Sequence, residues 1–297
     1  MTDIRDAAGA AETVVVRSDG IDLVGDRWPA WGGAEPGRGS VLLLHGGGQR
    51  RYSWHRTGER LARAGWTAYA FDARGHGDSG WADDGDYSIA AMVDDTLAVI
   101  DAIGEPPVLV GASMGGMTAL VAEGTRGPLA RGLVLVDIVA SPAPAGSKRI
   151  QAFMTGAPNG FASLQEASDA IAAYNPHRPR PRSLDGLRKN LVQRDDGRWH
   201  WHWDPRYLSL RDEPERELRQ GQAQAAARNV RVPTLLVRGA ESDIVSAEGL
   251  REMRELIPHA AFVEVRAAGH MIAGDDNDVF TAQLTRFLES TPVSTER

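Results

Sequence analysis

The chain has 297 residues, of which 42% are hydrophobic and 25% charged, as in an ordinary globular protein. Its formal net charge of −7 argues against a nucleic-acid partner, because nucleic acids bind basic surfaces. There is no cysteine, which excludes disulfides, thiolate catalysis and cysteine-based zinc sites.

The start of the chain is acidic and rich in alanine. Residues Met1–Glu12 lack the apolar core of a secretory signal. No later stretch approaches the ~20 apolar residues that a membrane span needs. We therefore expect a cytoplasmic protein that has no membrane partner.

A hairpin comes first, and a series of buried strands follows. Thr13–Arg17 and Ile21–Trp28 are predicted to pair across a turn at Asp19-Gly20. Short, continuous apolar runs then recur along the chain, as in strands that are buried on both faces of a parallel sheet. The six runs are Val41–Leu44, Thr67–Phe71, Pro107–Val110, Leu133–Val136, Thr234–Val237 and Ala261–Val265.

Segments with helical spacing of apolar residues alternate with these runs. They are Trp54–Ala64, Ser88–Ile103, Met117–Gly124, Ala247–Leu256 and Val279–Leu288. This alternation predicts a mostly parallel, doubly wound α/β sheet whose sites lie at the strand ends. Residues 141–230 contain no clear buried strand, and we interpret them as an inserted, mainly helical cap. The core domain would then comprise residues 1–140 and 231–297.

The strongest motif is Gly-x-Ser-x-Gly at residues 111–115, between a predicted strand and a predicted helix. A serine on such a sharp turn has a strained backbone, and small neighbours give it clearance. The turn lifts the Ser113 hydroxyl above the sheet, at a helix N-terminus whose dipole favours negative charge. The motif therefore predicts Ser113 as a nucleophile.

Acyl transfer to a serine also needs backbone donors that face the developing oxyanion. The N–H of Met114, directly after the nucleophile, is the first predicted donor. The second is expected after the first core strand, where three glycines follow His45 and let the backbone approach a substrate closely. Gly47 is the predicted second donor, and Gly48 is the alternative.

A serine hydroxyl needs a base, and the base needs an acid to orient it. His270 follows the last predicted strand, which fits the chain order serine, acid, histidine. Asp243, four residues past Gly239, is the predicted acid. Asp137, at the end of the preceding strand, is the alternative acid, and Glu241 is a weaker one.

With these residues in place, the chain resembles the α/β-hydrolase superfamily over nearly its full length outside the cap. It is most similar to the esterase, haloperoxidase-like and epoxide-hydrolase-like branch. The motifs that carry the resemblance occur in the order of that branch: His45-Gly46, the loop Asp72–Ser79, the Ser113 elbow, Ser242-Asp243 and Gly269-His270.

The resemblance implies an α/β-hydrolase fold, in which Asp72 and Arg74 tie neighbouring loops together. Two departures from the branch matter. Members that open epoxides or remove halides use an aspartate at the elbow, whereas this chain has Ser113. The loop Gly47–Arg51 is rich in glycine where many relatives carry a bulky residue, so the resemblance does not define the shape of the acyl pocket.

Several other motifs allow more than one interpretation. His200 and His202 could ligate a metal, but no third ligand is apparent and we predict none. The tract Trp199–Trp203 could line an aromatic substrate pocket or pack within the cap. His76 is not expected to touch the substrate.

The sequence predicts that Ser113 attacks the carbonyl of a small-molecule ester or lactone, without a cofactor. His270 then activates the water that hydrolyses the acyl-enzyme. Three alternatives remain: cleavage of a carbon–carbon bond, a perhydrolase activity in which peroxide replaces water, and a ligand-binding protein on this fold without turnover. The natural substrate and the oligomeric state do not follow from the sequence.

Overall fold

The computed structural model describes residues 11–31, 37–174, 183–208, 213–265 and 278–291. Eight strands of this part of the chain form one sheet. They are β1 (Glu12–Ser18), β2 (Ile21–Trp28), β3 (Ser40–Leu44), β4 (Thr67–Phe71), β5 (Val108–Ala112), β6 (Gly132–Val136), β9 (Thr234–Gly239) and β10 (Ala261–Val265). Two shorter strands, β7 (Leu191–Gln193) and β8 (Trp199–Trp201), form a separate antiparallel hairpin.

The strand order of the main sheet is β1-β2-β4-β3-β5-β6-β9-β10. β1 and β2 form the predicted hairpin, and Asp19 and Gly20 at its turn have φ of 43° and 78°. Positive φ at both central residues gives the turn a twist that matches its strands. β2 is antiparallel to β4, and the remaining neighbours are parallel. The predicted doubly wound, mostly parallel sheet is confirmed.

Helices connect the strands and cover both faces of the sheet. They are α1 (His55–Arg63), α2 (Ile89–Ile103), α3 (Met114–Arg126), α4 (Pro144–Thr155), α5 (Leu164–Tyr174), α6 (Glu213–Asn229), α7 (Ala247–Leu256) and α8 (Asp278–Ser290). The hydroxyl oxygens of Ser88 and Ser246 accept hydrogen bonds from backbone N–H groups in the first turns of α2 and α7. Such caps satisfy donors that a helix end leaves without partners. Among the described helices, none is both long and apolar enough to cross a membrane.

The core has two layers, one on each face of the sheet. Val41 and Leu43 of β3 pack on one side with Leu61 of α1 and Leu284 of α8. Leu42, between them, belongs to the opposite layer, which includes residues of α2, α3, α6 and α7. Because successive side chains of a strand point to opposite faces, a continuous apolar run fills both layers.

The segment predicted as a cap contains α4, α5, the β7–β8 hairpin and α6. The last of these helices packs on the core, because Ala226 contacts Gly124 of α3 so closely that a Cβ on Gly124 would clash with its carbonyl. The Asn229 side chain also donates a hydrogen bond to the Gly124 carbonyl, at 3.1 Å. Residues 141–230 thus include a helix that belongs to the core by its packing, as well as a hairpin that the sequence pattern did not predict.

Candidate active site

The turn between β5 and α3 places Ser113 at the carboxyl end of the sheet. Its backbone has φ 48° and ψ −113°, a conformation that residues with a Cβ rarely adopt. The backbone N–H of Ser113 donates to the Val136 carbonyl of β6, at 3.1 Å, and this bond holds the turn in place. Such strain persists only where the surrounding structure imposes it, and it concentrates at functional sites.

Glycines beside Ser113 allow α3 to approach the sheet. A Cβ on Gly115 would lie 2.5 Å from the backbone of Leu44, and one on Gly111 would clash with the backbone of Gly115. A Cβ on Gly116 would lie 2.7 Å from the Gly111 carbonyl oxygen. The glycine spacing of the motif is therefore a packing requirement, because no side chain fits between the strand and the helix.

Residues Gly46–Gln49, here called the glycine loop, follow β3 and lie beside the elbow. The Ala73 N–H donates to His45 Nε2 at 2.9 Å, so the ring hydrogen of the neutral imidazole lies on Nδ1. His45 Nδ1 in turn donates to the Gly46 carbonyl, at 2.8 Å. Because the C=O and N–H of a trans peptide point in opposite directions, the Gly47 N–H points away from His45. Gly48 N–H instead donates to His76 Nε2, at 3.2 Å.

Asp137 directly follows β6, the neighbour of the strand that carries the elbow. It is buried and has a φ of 53°. Its carboxylate accepts hydrogen bonds from the Gly239 N–H at 3.0 Å and from the Ser242 hydroxyl at 2.6 Å. Two donors, one at the last residue of β9 and one three residues beyond it, thus fix its orientation. Asp137 also lines the cavity in front of Ser113.

Asp243 has a different environment. Its carboxylate forms an ion pair with Nε of Arg149 on α4, at 3.1 Å, and its side chain is 35% exposed. It is not among the residues that line the cavity. Glu241, the weaker alternative, is exposed. His270, the predicted base, lies outside the described residues.

A cavity of about 910 Å³ opens in front of Ser113. Such a volume accommodates a ligand much larger than an acetyl ester. The core side of the cavity includes Gly47, Met114 and Asp137. The segment predicted as a cap, residues 141–230 without the core-packed helix α6 and hereafter called the cap, contributes aromatic and apolar walls, which include Phe153, Met154, Tyr174, Trp201, Trp203 and Tyr207.

The tryptophan tract both lines the cavity and packs within the cap. The rings of Trp201 and Trp203 stack with centroids 4.8 Å apart and an interplanar angle of 11°. Phe153 and Phe161 meet Trp201 edge-on, at 5.6 and 5.3 Å. Trp201 and Trp203 therefore fit both interpretations of the tract, as lining of the cavity and as packing within the cap. Trp199 instead lies under the guanidinium of Arg188.

The loop after β4 ties its neighbours together, as the resemblance implies. Asp72 is buried, forms an ion pair with Arg51, and accepts hydrogen bonds from the backbone N–H groups of Arg51 at 2.6 Å and Asp78 at 2.9 Å. Arg74 is also buried and binds Asp95 of α2 through two hydrogen bonds, of 2.6 and 2.7 Å. A bidentate pair of this kind fixes geometry as well as charge.

Three buried histidines lie behind the glycine loop, in a cluster that no local sequence pattern indicates. The ring centroids of His45 and His76 are 5.3 Å apart, and those of His76 and His202 are 6.0 Å apart. Burial lowers the pKa of His45. Burial, followed by the charge of Arg50, lowers the pKa of His202 to about 3. Both rings are therefore neutral at pH 7.

His200 and His202 have separate surroundings. His200 Nε2 lies 2.8 Å from the Asp196 carboxylate, within the β7–β8 hairpin. His202 Nδ1 accepts a hydrogen bond from the Gly77 N–H at 2.9 Å. The described residues include no cluster of three or more histidine, aspartate or glutamate side chains with the geometry of a metal site.

Comparisons with known proteins agree with this architecture. A protein-family model described as the alpha/beta hydrolase fold matches residues 39–276. Esterase Rv0045c of Mycobacterium tuberculosis is 30% identical over 259 residues, which cover 82% of this chain and 80% of that protein. The 3-hydroxybutyrate-oligomer hydrolase of Cupriavidus necator is 30% identical over 210 residues, 67% of this chain and 71% of that one.

Solved structures show the same fold. The crystal structure of E-2-(acetamidomethylene)succinate hydrolase superposes with a TM-score of 0.79, at 21% sequence identity, over 95% of this chain and 100% of that one. At that identity the likeness shows the fold alone. The family match, by contrast, spans well over half of the chain and includes the elbow. The chain therefore belongs to the alpha/beta-hydrolase fold family.

Proposed function

We propose that this protein is a serine hydrolase that cleaves a carboxylic ester or lactone through an acyl-enzyme. The observation that carries the proposal is the strained conformation of Ser113 on its elbow, facing a cavity that Gly47 and Met114 also line. Of the two relatives described above, one is named as an esterase and the other as a 3-hydroxybutyrate-oligomer hydrolase. Site geometry and family membership thus point to the same reaction class.

The proposed reaction has two halves, each passing through a tetrahedral intermediate. Ser113 Oγ attacks the ester carbonyl while His270 takes its proton, and the same proton passes to the leaving alcohol oxygen as the C–O bond breaks. Water then attacks the acyl-enzyme, gives a proton to His270, and releases the acid as the proton returns to Ser113. The N–H groups of Met114 and Gly47 stabilise the oxyanion in both halves.

The glycine loop supports Gly47 rather than Gly48 as the second donor. The Gly48 N–H is engaged by His76, whereas the hydrogen bond from His45 to the Gly46 carbonyl turns the next N–H, that of Gly47, the opposite way. A donor that is already oriented before substrate binds costs no reorganisation during the reaction.

The surroundings of the two aspartates support Asp137 as the acid. Its carboxylate is buried at the cavity and is oriented by two donors, whereas Asp243 is paired with an arginine outside the cavity lining. A carboxylate can accept about four hydrogen bonds, so these two donors are compatible with a third from an imidazole N–H. We therefore propose the sequence alternative, Asp137, in place of Asp243.

The cavity supports a proposal about the size of the substrate. Its volume and its walls of aromatic and methionine side chains suit an ester with a bulky apolar acyl or alcohol part. We expect catalytic efficiency to rise with the apolar bulk of the substrate until the cavity is full. The proposed chemistry needs no cofactor.

The test is labelling of the purified protein with a fluorophosphonate probe, together with turnover of a series of nitrophenyl esters. We expect the wild-type protein to be labelled and to hydrolyse the esters, and we expect both signals to vanish in Ser113→Ala. A folded wild-type protein that is neither labelled nor active would refute the acyl-enzyme proposal and favour a binding protein.

A further inference from the structure

The cap is hydrogen-bonded to the glycine loop at Gly48. The Gly48 carbonyl lies 3.3 Å from His202 Nε2, although the two residues are 154 positions apart in the chain. On the other side of the same residue, the Gly48 N–H donates to His76. Gly48 is thus held from both ends, by a histidine of the core and by a histidine of the cap.

The partners of His202 define its tautomer. The Gly77 N–H donates to His202 Nδ1 at 2.9 Å, so in the neutral ring Nδ1 is the acceptor and Nε2 carries the hydrogen. Nε2 is therefore the donor to the Gly48 carbonyl. His202 is only 4% exposed and is not among the residues that line the cavity, so it acts through the loop rather than on a substrate.

Two other side chains of the cap lie close to Gly48. A Cβ on Gly48 would lie 3.1 Å from the ring of Trp203 and 3.1 Å from Cε of Met154. Gly48 also has a φ of 74°. The cap therefore occupies the volume into which a side chain at this position would extend.

Successive peptides of the glycine loop are each held by a different histidine. His45 donates to the Gly46 carbonyl, which belongs to the same peptide as the Gly47 N–H. His76 accepts from the Gly48 N–H in the following peptide, and His202 donates to the Gly48 carbonyl in the one after that. The Gln49 N–H closes the turn onto the Gly46 carbonyl at 3.0 Å. Because neighbouring peptides share a Cα, release of one of them loosens the orientation of the next.

We propose that His202 is a positioning residue of the oxyanion hole, which holds the glycine loop in place from the cap. This inference rests on the proposed function, because it assigns the held loop to the reaction. It makes the cap a structural part of the catalytic apparatus in addition to a wall of the substrate cavity.

The first test compares two variants of His202 with the wild-type protein in ester hydrolysis. His202→Gln can place an amide N–H near the position of Nε2, whereas His202→Asn reaches only the position of Nδ1. We expect kcat to fall roughly tenfold in H202N, less than the loss for a deleted oxyanion donor, and to recover largely in H202Q. KM should change little, because an oxyanion hole acts in the transition state.

The matched control is His200→Asn, which removes a histidine from the same hairpin that contacts Asp196 instead of the glycine loop. We expect H200N to keep the wild-type kcat. Equal kcat in H202N and the wild type, or a rise of KM at constant kcat, would overturn the positioning role.

The second test does not depend on turnover. Hydrogen–deuterium exchange of peptides that cover residues 46–49 should be several-fold faster in H202N than in the wild-type protein, H202Q or H200N, because a held backbone exchanges slowly. Unchanged exchange in H202N would overturn the inference. If the wild type neither turns over esters nor reacts with fluorophosphonate while H202N still exchanges faster, the proposed function fails and the contact between cap and loop stands.

Discussion

Two aspartates lie near the ends of neighbouring strands, and their immediate contacts separate them. Asp137 receives hydrogen bonds from Gly239 and Ser242, which belong to the same chain segment that leads to Asp243. That segment therefore holds the Asp137 carboxylate in place through these hydrogen bonds. An acid that holds an imidazole in one tautomer has to be fixed itself, so these two donors support the proposal of Asp137 as the acid.

This difference predicts unequal effects of removing each carboxylate charge. We expect Asp137→Asn to lower kcat for nitrophenyl esters by about 10³–10⁴-fold, as expected when the acid of a triad is replaced by an amide. Asp243→Asn should stay within a few-fold of the wild type. Steady-state kinetics with circular dichroism as a folding control would measure both. The opposite order of effects would restore Asp243 as the acid.

At the scale of secondary structure, the central strands β3, β5, β6 and β9 were predictable because each is a short apolar run that is almost entirely buried. The elbow was also predictable from local sequence, because glycines are required at the positions where α3 packs closely against β3. Local sequence carries both signals. The predicted bounds of the main-sheet strands differ from those of the structure by at most two residues, as at Val41–Leu44 against Ser40–Leu44.

The remaining elements depend on contacts that local sequence does not record. The strands of the β7–β8 hairpin have three residues each, too short to show a period. α6 packs through small residues such as Ala223 and Ala226 rather than through a stripe of large side chains, so nothing in its pattern distinguishes a core helix from a cap helix. The contact between His202 and Gly48, and the support of Asp137 by Ser242, exist only in the folded chain.

The space around two helical glycines predicts opposite effects of alanine on thermal stability. In a helix interior, alanine is ordinarily more stable than glycine by about 0.5–1 kcal/mol. Gly221 of α6 is exposed, and a Cβ added there would meet no atom within 4 Å, so Gly221→Ala should raise the melting temperature. Gly115→Ala should lower it, because its Cβ would lie 2.5 Å from the Leu44 backbone. Differential scanning calorimetry would measure both, and stabilisation by G115A would contradict the packing described here.

At the scale of the whole molecule, core and cap meet through buried polar groups. His45 belongs to the core, His202 belongs to the cap, and the structure keeps both neutral. In the unfolded chain these histidines would have ordinary pKa values of about 6.5. Folding is therefore coupled to their loss of protons whenever the solution is more acidic than that value.

We expect the free energy of unfolding to fall as the pH is lowered below about 6.5. In that range the unfolded state binds more protons than the folded state, and each such histidine costs about 1.4 kcal/mol per pH unit. For His202 the loss continues toward pH 3, the region of its folded pKa. Urea unfolding at pH 7.5, 6.0 and 5.0 would measure the slope, which should be smaller in His202→Gln. A flat profile between pH 7.5 and 5.0 would show that neither ring is kept neutral.

The strained backbone of Ser113 also implies that the proposed activity comes at a cost in thermal stability. Its positive φ costs about 1–3 kcal/mol for a residue with a Cβ, and glycine would relieve that cost. Ser113→Gly should therefore melt at a higher temperature than Ser113→Ala, which keeps the Cβ, while both are inactive. A stability screen without an activity filter would then select against the proposed nucleophile itself, so any programme to make this protein more heat-resistant has to hold position 113 fixed.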